Sequence, residues 1–452
     1  MWNLLKQKRL FGDAFWALAG QIVSALALLV GTRMLTELVS PETFGQVALL
    51  NGFVALGVAV FSYPFICAGM RLTAECRNYR ERVMLNKVVS GLTAKSTMLA
   101  IVLLMLGGAT YSYFRGGEIG LFALTGLLLA VTVRRELGIQ LLIGERKQRG
   151  AALWQTSDSL LRPLLAIWLV WGLGGNPESV LLGYVLASVA SNTLWAIVNG
   201  DREEKRPANL TVQSGQFRRN IWAYALPLIP MELIFWLNGL GDRYVIGYLL
   251  TAAEVGLYAA TYTIVNEAFS RSAMVLLRTF QPAYFQSFSA GHGKEAFLVL
   301  WMWIASVLGL GLLGVALVWV CKDWVATLLL AKSYHAAVEL MPAIAAGSAL
   351  SAVGTVVAQP LLARKRTQAM LRGRICGALA AAICLPLMVS HFGLMGAALA
   401  NPIYFGIEAL VLALLAKPWR RAPISKFQMV AYDFESLTEK PAILSAESCS
   451  GQ

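Results

Sequence analysis

The sequence predicts an all-α membrane protein of about twelve transmembrane helices in two six-helix bundles related by pseudo-two-fold symmetry. Three observations predict it. Twelve long apolar stretches, separated by short connections, fill the chain from about Gly12 to Ala416. Hydrophobic residues make up 57% of the 452 and charged residues only 14%, with a mean hydropathy of +0.62. A soluble chain carries about a quarter charged residues. Lastly, Lys and Arg alternate between rich and poor connections along the chain.

Each span needs roughly 20 apolar residues to cross hydrocarbon, and unsatisfied backbone is so costly there that each run must be helical. The first run, 13–33, is too long for a signal peptide and lacks a small-x-small cleavage site, so it is expected to be retained. Runs at 44–66, 88–112, 117–137, 151–172 and 179–199 complete a first set of six. The second set covers 219–240, 256–281, 296–320, 338–362, 373–390 and 394–416. Pro227 and Pro230 remove backbone donors early in the seventh helix and predict a bend, a candidate hinge. Gly309, Gly311 and Gly314 mark the ninth as a close-packing helix.

The net charge of +13 could suggest a nucleic-acid partner, but the basic residues follow topology rather than form a patch. The N-terminal arm and alternate connections take 30 of the 38, among them Lys6, Arg71, Arg134, Arg135, Arg146, Arg202, Arg278, Arg374 and Lys417. The opposite side has Arg33, Arg115, Arg243, Lys322 and Lys332, and Lys95, Arg162 and Arg271 fall inside helices. By the positive-inside rule both termini are cytoplasmic. The expected organisation is a first bundle over 1–199, a cytoplasmic linker over 200–220, a second bundle over 221–422 and a polar, disordered tail over 423–452.

The halves echo each other. Thr32-Arg33 ends one helix and Gly45 opens the next, while Asp242-Arg243 and Gly256 repeat the pattern in the second half. Parallel repeats of this kind occur in transporters with a central site.

No catalytic constellation emerges, and six cysteines and three histidines show no metal or disulfide spacing, so neither an enzyme nor a cofactor is expected. Asn209-Leu210-Thr211 fits a glycosylation sequon but falls on the cytoplasmic side. Charged groups inside the spans are the informative residues, since each costs at least about 2.5–3.5 kcal/mol on insertion scales. Asp158 and Arg162 lie four apart on one helix face, and Glu267 and Arg271 repeat that spacing, with Arg278 one heptad further. Either each pair neutralises itself, or the arginines line a wet lumen for an anionic substrate with the carboxylates orienting them. Lys95 is explained equally by snorkelling, Arg33 and Arg243 by interfacial anchoring, and Asp13 by the helix N-terminus. Gln359 and Glu408, with Ser348, Ser351, Thr355, Asn401 and Tyr404, are candidates for the cavity wall or for interhelical glue.

Three runs carry a family resemblance: Tyr224-Ala225-Leu226-Pro227-Leu228-Ile229-Pro230, then Asp242-Arg243-Tyr244-Val245-Ile246-Gly247-Tyr248, then Val255-Gly256-Leu257-Tyr258. They resemble the seventh and eighth helices of Wzx-type polysaccharide flippases, of the multidrug/oligosaccharidyl-lipid/polysaccharide exporter superfamily. The stretch from Leu38 to Gly45 resembles that family's first outer loop, and Phe392-Gly393-Leu394-Met395-Gly396-Ala397-Ala398 its last helix. The resemblance implies a V-shaped, MATE-like pair of bundles around a cationic cavity in a bacterial inner membrane. It implies a substrate of oligosaccharide repeat units on undecaprenyl diphosphate for O-antigen, capsule or exopolysaccharide, with a polymerase and a chain-length regulator as candidate partners of a monomer. By position, Arg162 and Arg271 are the candidate substrate residues, with Lys95, Arg278, Arg33 and Arg243 behind them. A cation-coupled multidrug exporter, a lipid II flippase and a glycosyltransferase scaffold are the competing readings. The exporter would want a lumen of carboxylates, the lipid II flippase fourteen helices, and the scaffold long loops.

Overall fold

The computed structural model describes residues 2–73, 75–76, 78–116, 119–145, 147–199 and 214–419, which are helices joined by short connections. Residues 200–213 of the expected linker, the expected tail, and Arg77, Arg146, Asn209 and Cys449 lie outside the described residues, as do the side chains of Lys6, Lys8, Arg9 and Asp13.

Twelve spans run through the described residues. The first six are α1 (Trp2–Leu38); α2 (Pro41–Leu56) continued by a π-helical turn (Gly57–Ser62) and α3 (Tyr63–Thr73); α4 (Tyr79–Arg115); α5 (Ile119–Gly144); α6 (Gln148–Leu173); and α7 (Pro177–Asn199). The second six begin with α8 (Ser214–Ala225) bent into α9 (Leu228–Leu249), then α10 (Ala252–Ser289) and α11 (Gly293–Leu329). A 3₁₀ segment (Lys332–Leu340) leads into α12 (Met341–Val357) and the short α13 (Gln359–Ala363). The last two spans are the arms of α14 (Thr367–Ala416), turned at Gly393 with φ 57° and ψ −139°, a conformation open to residues without a Cβ. The spans fall where the apolar runs place them, and most extend several residues beyond, because the helices continue out of hydrocarbon under charged and capping residues.

Each lobe has its own core. Leu128, Leu129, Val133, Ala166 and Leu181 centre the first, and Tyr258, Tyr334, Ile344, Leu385 and Tyr404 the second. Outward-facing Leu106, Trp171, Ile197, Leu312 and Val320 stay exposed, as lipid-facing positions do. The bend expected at Pro227 is present: α8 and α9 meet at 41°. Before it, α8 tucks Ile221 and Ala225 against Phe65, Leu85 and Val89 of the first lobe, so the chain crosses between lobes at the proline.

The lobes lean together in the V shape of the MATE fold and close on each other at one end, the end that the basic residues assign to the outside. There α2 and α10 cross at their first turns. Ser40 caps α2 through the Thr43 amide at 3.2 Å, and Thr251 caps α10 through the Glu254 amide at 3.3 Å. Five residues after each cap stand Gly45 and Gly256. A Cβ on Gly45 would overlap the Ala252 carbonyl oxygen, and one on Gly256 the Pro41 carbonyl oxygen. The sequence echo is therefore a physical contact: the repeated glycines let two backbones touch. Beside this seam, the Ala331 amide donates to Thr36 Oγ1 at 3.3 Å and Tyr334 Oη to the Val39 carbonyl at 3.2 Å.

Any side chain at the seam must separate the helices. Overpacking of this kind costs about 1–3 kcal/mol where the backbone can shift. Gly45→Leu or Gly256→Leu is expected to open this end. The check is an Ala48→Cys reporter inside the central cavity, labelled several-fold faster in the leucine variants by an impermeant maleimide added on the seam side.

Candidate functional site

Charged helices are the exception in this bundle, and they converge. Among the described residues, seven stretches, with both arms of α14 counted as one, and the α8–α9 pair are long and apolar enough to cross a membrane. The spans that fall short are α5, α6 and α10, which carry Arg135 and Glu136, Asp158 and Arg162, and Glu267 and Arg271. All of these side chains but Glu267, which holds Arg271 from behind, line a cavity of about 380 Å³ between the lobes. Its walls come from α1, α2, α5, α6 and α7 of the first lobe and from α9 and α10 of the second. Arg135, Arg162, Arg243 and Arg271 line it with Glu136 and Asp158. Ser24, Thr32, Asn51, Gln155, Ser159 and Thr263 add neutral hydrogen-bonding groups, and Phe44 and Tyr184 add aromatic surface.

Asp158 is the node of the first-lobe side. One oxygen, Oδ2, takes Arg135 Nη1 and lies 2.9 Å from Arg162 Nε. The other, Oδ1, accepts from Ser188 Oγ at 3.0 Å and Ser191 Oγ at 3.3 Å. Arg135 also donates through Nη2 to Glu136 at 2.7 Å. Arg162 Nη2 reaches Thr132 Oγ1 and Ser188 Oγ, both at 3.3 Å, and its guanidinium stands 5.9 Å from the Tyr184 ring centroid. Two guanidiniums and two carboxylates thus balance.

On the second-lobe side, Arg271 is held by Glu267 one turn back, with Nη2 at 2.6 Å and Nε at 2.7 Å from the same oxygen. Arg243 differs. Its sequence neighbour Asp242 makes no contact ion pair with it, because Oδ2 accepts from Tyr258 Oη at 2.6 Å and Oδ1 from the Arg243 backbone amide at 2.8 Å. Adjacent residues on a helix do not face each other. The Arg243 guanidinium rests 5.7 Å from the Tyr262 ring centroid and forms no ion pair among the described residues. It is the unmatched cation of the cavity.

Of the residues singled out from sequence, Arg162, Arg271 and Arg243 come together here, and Asp158 and Glu267 hold two of them. Arg33 pairs instead with Glu37 at 2.7 Å on α1. Lys95 and Arg278 are exposed side chains that do not line the cavity. Gln359 is buried in the second lobe, accepting from Gln281 Nε2 at 3.0 Å. Glu408 is sealed there too, holding Arg374 Nη1 and accepting from Asn238 Nδ2 at 3.1 Å. Neither lines the cavity, so the cavity-wall alternative gives way to interhelical glue for both.

Arg135, Glu136 and Arg374 were hidden from the sequence because the charge pattern assigns Arg135 and Arg374 to basic connections. The available signal was the apolar run Leu137, Ile139, Leu141, Leu142 and Ile143, which carries α5 on past Arg135 to Gly144.

Removing a buried counter-charge and removing an unpaired cation should differ sharply. Breaking a buried pair by deleting one partner costs about 3–5 kcal/mol. Asp158→Ala is expected to lower the thermal midpoint of the detergent-purified protein strongly, because Arg135 and Arg162 lose their shared carboxylate. Arg243→Gln is expected to leave that midpoint nearly unchanged.

Comparison with known proteins adds three findings. The profile of the family described as "Polysaccharide biosynthesis protein" matches residues 10–270. No curated protein matches the chain at a significant level. Among solved structures, an inward-facing multidrug resistance MATE family transporter of the MOP superfamily aligns with a TM-score of 0.66 at 14% identity, covering 89% of this chain and 97% of that one. The lipid II flippase MurJ, in an inward closed conformation, aligns at 0.61 and 14% identity, covering 90% and 87%. An outward-facing MATE family transporter aligns at 0.50 and 15% identity, covering 88% and 94%.

Proposed function

The chain belongs to the polysaccharide biosynthesis protein family of Wzx-type flippases, and on that premise we propose that it carries undecaprenyl-diphosphate-linked oligosaccharide repeat units from the cytoplasmic to the outer leaflet of a bacterial inner membrane. The product feeds surface polysaccharide synthesis, and both termini face the cytoplasm. The observation that carries this reading is the unpaired Arg243 guanidinium in a cavity that also holds Arg162 and Arg271.

A diphosphate bearing sugars cannot cross hydrocarbon without replacement of its water. Guanidiniums replace it well, because their planar forks bind phosphate oxygens in pairs. Arg243 meets the head first, having no contact ion pair to break. Arg271 spends two of its donors on Glu267, and Arg162 spends its on Asp158, Thr132 and Ser188, which leaves a free Nη1 on each for the same anion. The hydroxyl and amide side chains of the wall suit sugar hydroxyls, and Phe44 and Tyr184 suit the apolar faces of sugar rings.

Closure at the Gly45–Gly256 seam, and the better alignment to an inward-facing relative than to an outward-facing one, support a resting state open to the cytoplasm. With the cytoplasm negative, outward movement of anionic charge is downhill by about 2.3 kcal/mol per charge per 100 mV. The reading therefore needs no nucleotide site. A cation exporter would need unspent carboxylates on the lumen. Here Glu136, Asp158 and Glu267 are each held by an arginine.

A hydrogen bond to a charged group contributes about 1.5–3 kcal/mol, or roughly ten- to a hundredfold. Arg243→Gln in proteoliposomes is expected to slow translocation of a lipid-linked oligosaccharide at least tenfold with normal protein yield, and Arg243→Lys to restore part of it. Unchanged rates in Arg243→Gln and Arg271→Gln alike would remove the cationic site from the mechanism.

A further inference from the structure

A second opening lies on the opposite face of α2. It has a volume of about 1050 Å³, more than twice that of the cationic cavity. Its walls are α2 with its π-helical turn, the ends of α4 and α5 nearest the seam, and the last turns of α9. Leu49, Phe53, Leu56, Leu104 and Phe122 make it apolar along its length. Polar side chains gather at one end, where Gln46, Asn176 and Glu178 sit beside the seam.

This opening is not a packing fault. Protein interiors leave few voids larger than a water molecule, and this one is shaped by deliberate backbone. Gly57, Gly107, Gly108, Gly116 and Gly247 all border it, and a Cβ on Gly107 would meet nothing within 4 Å. The π-helical turn Gly57–Ser62 puts both Gly57 and Phe61 into the wall, and such turns recur at functional positions. Leu103 and Tyr111, which border it on α4, are about half exposed, so it opens sideways to lipid.

The two sites share both of the helices between them. On α2, Val47, Ala48 and Asn51 face the cationic cavity, while Gln46, Leu49, Leu50 and Phe53 face the apolar groove. On α9, Arg243 borders the cavity and Tyr244 the groove. Tyr244 Oη donates to the Leu49 carbonyl and Trp236 Nε1 to the Gly52 carbonyl, each at 2.9 Å, fixing the crossing of the two helices. A cationic chamber and an apolar trough thus lie about one helix diameter apart, roughly 10–12 Å. That is the layout of one amphiphile, a charged head joined to a long hydrocarbon tail.

We infer that this groove holds the isoprenoid chain of the lipid-linked substrate while its diphosphate occupies the arginine cavity, an inference that rests on the transport reading above. An isoprenoid differs from a fatty acyl chain by methyl branches at regular intervals and by rigid double bonds. It needs a wide trough with notches, and Gly107 and Gly116, where a Cβ would meet open space, supply them beside the π-helical turn.

The test uses the full chain in nanodiscs with two photoreactive lipids, a polyprenyl diphosphate and a phosphatidylglycerol, each carrying a diazirine near the tail end. The polyprenyl probe is expected to label peptides of residues 100–129 in a saturable way that unlabelled polyprenyl diphosphate displaces. Gly107→Phe, whose Cβ enters open space, is expected to cut that labelling at least fivefold and leave phosphatidylglycerol labelling of α11 unchanged. Labelling that is not displaced, or that Gly107→Phe leaves intact, overturns the assignment. Translocation is read separately in proteoliposomes. Gly107→Phe should slow a substrate with a full-length prenyl chain several-fold and spare one with a two-isoprene chain, and equal slowing of both also overturns the groove. A wild-type protein that translocates neither substrate defeats the transport reading instead, whatever the labelling shows.

Discussion

A guanidinium inside a bilayer must be neutralised, hydrogen-bonded or wet, and that requirement organises the middle of this molecule. It explains why α5, α6 and α10 turn their charged faces to one cavity: each carries charge that lipid would reject. It explains the crowding on Asp158, whose two oxygens serve two arginines and two serines. The same requirement produces a different result in the second lobe, where Arg374, Glu408 and Asn238 close on one another under Phe235. That cluster is sealed and borders no described cavity. Charge in a span is therefore not enough to mark a site. The central arginines differ because they border open volume and because one of them, Arg243, makes no contact ion pair among the described residues.

The repeat in the sequence makes the same point from symmetry. Arg33 and Arg243 occupy matching places at the ends of the first and seventh helices. Arg33 has Glu37 four residues on, in pairing distance along the helix. Arg243 has Asp242 beside it, on another face and bound to Tyr258. Two equivalent positions thus carry one matched and one unmatched cation, and the surplus charge of the cavity comes from this asymmetry. The glycines behave in the opposite way. Gly45 and Gly256 are equivalent and touch, which equivalent residues do when they lie on the axis relating the halves.

How much of this was legible before any coordinates follows from the solvent. Spans could be read because hydrocarbon demands long apolar runs, and the bend at Pro227 could be read from local backbone chemistry. The Asp158–Arg162 and Glu267–Arg271 pairs could be read because spacing alone puts them on one face. What could not be read is which face each helix turns inward. In water, burial is marked by apolar residues, but in lipid the outer face is as apolar as the core. Lys95 and Arg278 are in helices yet outside the cavity for that reason, and Gln359 and Glu408 could belong to a wall or to a sealed interior. Arg135 was lost differently. A topology rule that counts basic residues near helix ends assigns it to a loop, although its helix runs on to Gly144.

The chemistry of the seam bears on how such a molecule can move. The contact at Gly45 and Gly256 is backbone against backbone, with capped helix ends beside it and no ion pair across it among the described residues. Close packing of this kind falls off within an ångström or so of separation, so it holds the lobes in one geometry and resists little once they begin to part. A seam of buried salt bridges would instead leave uncompensated charge on opening, at several kcal/mol for each. The molecule concentrates its buried charge in the cavity, and at the seam it uses glycine. An anion that draws Arg243, Arg162 and Arg271 together acts across the lobes, from α6 on one side to α9 and α10 on the other, and α10 is the helix that Gly256 presses against α2. Binding and closure thus share one helix. The force between a bound diphosphate and the arginines can therefore be transmitted to the seam by rigid-body movement of α10, without any charged contact having to break there.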